Sequence, residues 1–94
     1  MADHRFEDGI QRGEVERVAR DLAYDDYIAA LLAPRASRPA LLTLAALFGE
    51  LNRIPMQVSD AALGEIRLQW WRDAFARGAR TGHPVADAAL ALQP

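Results

Sequence analysis

The sequence predicts an all-α helical bundle, and three observations predict it. Apolar residues recur at intervals of three and four through successive segments of the 94-residue chain, the period of an amphipathic helix. Strand signals are lacking: there is no alternating β-branched run and no Asn-Gly or Asp-Gly hairpin turn. Proline and glycine fall between the periodic segments, where they punctuate helices.

Residues 1–12 are expected as a loosely ordered tail, with Gly9 and Gly13 as breaks, leaving 13–94 as the helical domain. A first helix is expected over about Glu14 to Ala23, because Val15, Val18, Ala19 and Leu22 share a face. Asp25 or Asp26 can cap a second, short helix carrying Tyr27, Ile28, Leu31 and Leu32, and Pro34 ends it. Ser37 caps a third helix. Pro39 suits its first turn, where a missing N–H costs little. That helix is expected to reach about Arg53. Leu41, Leu44, Phe48 and Leu51 make one stripe, which Leu42, Ala45, Ala46 and Leu47 widen almost all the way round. Such a helix belongs in the middle of a bundle.

Pro55 is expected to interrupt the pattern. Ser59 or Asp60 then starts a fourth helix with two apolar stripes, Leu63–Ile66–Trp70–Ala74 and Leu68–Trp71–Phe75. Asp73 and Arg77 are spaced to pair across one turn. Residues 77–83, "RGARTGH", read as a loop, and "PVADAALAL" starts a fifth helix with Pro84 at its N-terminus.

The adjacent tryptophans raise a packing problem. Neighbours on a helix point about 100° apart, so Trp70 and Trp71 cannot share one seam. Each carries roughly 200 Å² to bury. A chain of this size has much surface for its volume. Two helices with apolar residues on two sides therefore imply a partner: further helices of a longer chain, a second copy, or another protein.

Composition narrows the function. The formal net charge of −2 argues against a general nucleic-acid binder, which needs many phosphate contacts. All eleven basic residues are arginine. There is no cysteine, so no disulfide, thiolate metal site or thiol nucleophile exists. Acids near the start argue against secretory and transit signals. The longest apolar run, residues 40–48 broken by Thr43, is far short of the ~20 residues that span a bilayer. A cytoplasmic protein is expected, with no transmembrane segment but with peripheral membrane contact open to it. His4 lies in a polar stretch, and His83, before Pro84, suits a helix start. Asp21, Asp25 and Asp26 have a ligand-like spacing, but their place between two short helices suits capping and solvation.

Three stretches in order, "DDYIAALLAPRASRPALLTLAALFGELNRI", "VSDAALGEIRLQWWRDAFARG" and "HPVADAALAL", resemble the N-terminal part of the squalene/phytoene synthase family. The resemblance covers about residues 14–92. "LGEIRLQWWRDA" and "HPVA" are similar to a bacterial branch related to a mitochondrial factor that helps assemble respiratory complex I. The resemblance implies the N-terminal portion of the isoprenoid synthase fold. Catalytic members condense prenyl diphosphates and hold them through Mg²⁺ on two aspartate-rich motifs, a hard cation on carboxylate oxygen. In this chain Met56 and Gln57 stand where the leading acids of the first motif would fall, and Asp60 is its remnant. The second motif is not in these residues. The resemblance thus implies no catalytic residue and no cofactor for the 94-residue chain alone, with Mg²⁺ belonging to an intact catalytic relative. It places Arg38 and Arg53 on the diphosphate side, where the guanidinium fork suits phosphate. Arg53 has Glu50 within reach as an internal ion-pair partner. Phe48, Trp70 and Trp71 are candidates for the apolar wall of a prenyl site as well as for the core. An assembly-type factor on the same fold and a self-associating helical module are the alternative functions.

Overall fold

A computed structural model describes the backbone of residues 4–57 and 60–92, and side chains from residue 9 to 54 and 60 to 92. Among the described residues the chain forms five α-helices and no strand: α1 His4–Leu22, α2 Tyr24–Leu32, α3 Arg38–Gln57, α4 Ala61–Arg77 and α5 Pro84–Leu90. A 3-10 turn, Arg35–Ser37, leads into α3.

Helix α1 begins ten residues earlier than expected, so residues 4–12, anticipated as a loose tail, are helical. Gly9 and Gly13 lie on an open face where an added Cβ meets nothing within 4 Å. A glycine there costs the helix only its propensity, about 1 kcal/mol. Arg17 supports the same face by pairing with Glu14 at 3.0 Å and Asp21 at 3.4 Å. Neither Asp25 nor Asp26 caps α2. The cap position is Ala23, with no side-chain hydrogen bond, and the two acids lie two and three residues further in, in the first turn. There they meet the positive end of the helix dipole.

Helix α3 is central, lying along α1 most extensively and touching α2, α4 and α5. It passes through Pro55 and ends two residues later. A proline so near a helix end removes one N–H from a turn that is terminating anyway. The nearly all-round apolar pattern leaves its inward side open, and the structure settles it. Ala45, Ala46 and Ile54 are buried, whereas Leu41, Leu44 and Phe48 remain exposed. The two faces have equal periodicity, and the small residues win because they let α1 come close. An added Cβ at Gly49 would stand 2.6 Å from the Cβ of Leu22. The core joins Val15, Val18 and Ala19 of α1 to Ala45, Ala46 and Ile54 of α3, Trp71 of α4, and Val85 and Ala86 of α5.

Local signals fix the ends of α4 and α5. Asp60 caps α4 by accepting from the Ala62 N–H at 2.8 Å. Gly78, at φ 66°, closes it in the left-handed conformation and donates to the Ala74 carbonyl at 3.1 Å. Asp73 accepts from Gln69 at 2.8 Å, one turn back, in place of the anticipated Arg77 partner. Pro84 opens α5.

The loop before α5 is held by Asp87, whose carboxylate accepts from the Thr81 amide at 2.7 Å, the Thr81 hydroxyl at 2.8 Å and the Gly82 amide at 3.0 Å. Burial pushes its pKa up, but these hydrogen bonds, with Arg80 nearby, outweigh burial and hold it below the usual 3.8. A lowered carboxylate pKa adds stability above the unfolded value, and that stability is lost as pH falls through the folded value. Thermal melts between about pH 5 and about pH 2 are therefore expected to show a falling Tm. Asp87→Asn should flatten that acid limb while lowering Tm at neutral pH. An unchanged acid limb in the variant would show that other carboxylates set it.

The molecule is a slab of 39 × 36 × 22 Å with a radius of gyration of 13.9 Å. A compact chain of this length has about 12 Å. Two helix layers fill the thin dimension, and large apolar side chains lie on the outside: Leu32 is 83% exposed, Ile66 65% and Leu63 51%.

Candidate functional site

Three of the expected site residues meet where α3, α4 and the start of α5 converge. The Arg53 guanidinium pairs with the Glu50 carboxylate at 2.9 Å, as their spacing anticipated, and the Glu50 side chain is almost fully buried. Beside them Trp70 and Trp71 meet edge to face, with ring centroids 5.2 Å apart at 87°. Together with Ile54, Arg67 and His83 these groups line a cavity of about 150 Å³.

The tryptophans divide their work. Trp71 is buried among the core residues and lies 6.2 Å from the Phe75 ring. Trp70 is 38% exposed, and with Leu63 and Ile66 it makes the outer stripe of α4. His83 bridges them, its ring centroid 5.6 Å from Trp70 and 5.2 Å from Trp71. The same imidazole caps α5, where Nδ1 accepts from the Ala86 N–H at 3.4 Å. Sequence reasoning gave His83 the helix start. Its contact with both tryptophans is long-range and leaves no periodic signal.

The other expected residues lie elsewhere. Arg38 opens α3, fifteen residues before Arg53, so about 22 Å of helix separates them. It lines a different groove, of about 520 Å³, with Arg12, Arg35, Val15 and Leu42 among its neighbours. Arg12 and Arg35 were not singled out in the sequence, because nothing local links a residue of α1 to the turn before α3. Phe48 is exposed beside Leu22, Tyr24 and Asn52, away from the tryptophans. Asp60 is occupied as the α4 cap.

Chemically, the α3–α4 corner offers a guanidinium against an aromatic wall, with its charge balanced by Glu50. Its volume holds a few waters' worth of atoms, below the several hundred Å³ of a substrate pocket. Among the described residues no three ligating side chains gather to hold a metal ion. Asp21 instead pairs with Arg17 and Arg20, at 3.4 and 3.5 Å. Met56 and Gln57 lie outside the described side chains.

The fold and this corner define an all-α protein of the bundle class whose basic and aromatic groups meet at a helix junction. The family comparison is more specific: the squalene/phytoene synthase model matches residues 19–94. The chain belongs to the squalene/phytoene synthase family. No curated protein and no solved structure matches it. Among the described residues no helix is long and apolar enough to cross a membrane.

Proposed function

We propose that these residues are the N-terminal portion of a squalene/phytoene synthase-like protein, and that they do not catalyse prenyl transfer alone. The observation that carries this reading is the family match over residues 19–94. The half-built corner at Arg53, Trp70 and Trp71 and the uncovered stripe Leu63–Ile66–Trp70 support it. Further helices laid on α4 would cover that stripe and enlarge the corner into a prenyl-diphosphate-sized site. Arg53 would then lie on the diphosphate side, and the two tryptophans would form the apolar wall.

One observation favours a second reading, a non-catalytic assembly-type factor on the same fold. The first motif lacks its leading acids, and its remaining aspartate, Asp60, already serves as a helix cap. Under that reading an intact protein would also lack turnover.

The test is pyrophosphate release from farnesyl or geranylgeranyl diphosphate with Mg²⁺. No release above the blank is expected from the 94-residue chain. Measurable turnover would overturn the non-catalytic assignment. The same assay on any longer product of the reading frame separates the two readings.

A further inference from the structure

Four arginines outside the Arg38 groove have acidic partners. Arg17 meets Glu14 and Asp21, Arg20 meets Asp21, Arg53 meets Glu50, and Arg80 meets Asp87. The groove at the N-terminus of α3 is different. Arg12 from α1, Arg35 from the 3-10 turn and Arg38 from α3 converge on it. Among the described residues none of these three forms an ion pair. The Arg38 Nε is buried without a hydrogen-bond partner. A buried donor left unpaired is costly.

The helix end adds to the same field. The first turn of α3 has no acidic residue, so its partial positive charge meets arginine rather than carboxylate. Among the described residues one carboxylate, Glu16, lines the groove, and its Oε1 accepts from the Tyr27 hydroxyl at 3.4 Å. The Thr43 hydroxyl is spent on the Pro39 carbonyl at 2.9 Å. Three guanidinium groups brought to one groove at a helix N-terminus repel one another, and an anion between them relieves that repulsion. Val15, Pro39, Leu42 and Ala88 give the groove an apolar floor.

We propose that this groove binds a phosphate group, without a metal ion, through Arg12, Arg35 and Arg38. Guanidinium forks bind phosphate oxygens in pairs, and a helix N-terminus favours the same charge. The volume of about 520 Å³ also admits a short apolar body behind the phosphate. The site lies at the opposite end of α3 from Arg53, and it stands whether or not the synthase reading does.

The experiment is a titration of the 94-residue chain with inorganic phosphate and with hexyl phosphate, in EDTA at low salt. Arginine Nε–Hε signals are followed by NMR. Arg38 Nε–Hε is expected to shift saturably, with a Kd below about 1 mM. Arg38→Gln and Arg35→Gln should each weaken binding about tenfold, and Arg77→Gln, on α4, should not. Circular dichroism checks that each variant is folded. Hexyl phosphate binding several-fold tighter, with the gain lost in Leu42→Ala, would identify a phosphorylated amphiphile as the ligand. Equal affinities would identify free phosphate. Either supports the site. No saturable shift up to about 10 mM phosphate, a need for Mg²⁺, or equal weakening by Arg77→Gln would overturn it.

Discussion

Replacing Gly49 by alanine is expected to destabilise the protein by about 2 kcal/mol, against the usual trend of helical glycine substitutions. On propensity alone the change would stabilise α3 by about 1 kcal/mol. The new Cβ, however, would lie 2.6 Å from Leu22 Cβ and 3.3 Å from the Leu22 carbonyl carbon. These are not the ends of flexible side chains. The last turn of α1 must move away from α3, opening the contact in which Ala19 and Ala46 are both fully buried. Close-packed interiors resist such shifts. A fall in Tm of about 10 °C is the expected readout. Gly13→Ala is the control. Its Cβ meets nothing within 4 Å, so it should raise stability by about 0.5–1 kcal/mol. If both substitutions stabilise, α1 and α3 separate freely and their close approach is not a constraint.

That contrast also shows where sequence reading ends. Gly13 and Gly49 look alike in a helical pattern, and only the neighbour across the interface distinguishes them. Features written within a few residues were legible: Asp60 before α4, Pro84 at the start of α5, and the arginine–glutamate spacing of Glu50 and Arg53. The family was legible too, because an ordered set of stretches carries it, and the match over residues 19–94 bears it out. The inward side of α3 was not. The apolar residues run almost all the way round α3, so the pattern alone did not choose between the Leu41–Leu44–Phe48 stripe and the side carrying Ala45 and Ala46. Close helix packing rewards small residues, and Ala45 and Ala46 took the inside. The site was legible in part for the same reason. Arg53 and the tryptophans come together across the α3–α4 corner, whereas Arg38 joins Arg12 and Arg35 at the far end. Residue types suited to phosphate were visible, but their partition into two places required the fold.

The tryptophan pair provides the second large effect. Trp71→Ala should cost about 4 kcal/mol, since Trp71 is 7% exposed and joins α4 to a core of small residues. A chain of this size has roughly 5–14 kcal/mol in total, so the variant should melt at least 15 °C lower or be unfolded at room temperature. Trp70→Ala should cost about 1 kcal/mol, because much of its ring already faces solvent. Thermal melts compare the two, and single-tryptophan variants made with phenylalanine assign the fluorescence. Trp71 should emit at shorter wavelength than Trp70. Equal losses, or a blue-shifted Trp70, would place both rings in the core and remove the reason for expecting a partner on α4. If the losses differ as expected, the adjacent tryptophans are not redundant. Trp71 holds α4 to the bundle, and Trp70 extends the apolar stripe that Leu63 and Ile66 present outward. Substituting Trp70 should then weaken association with whatever covers that stripe more than it weakens the fold.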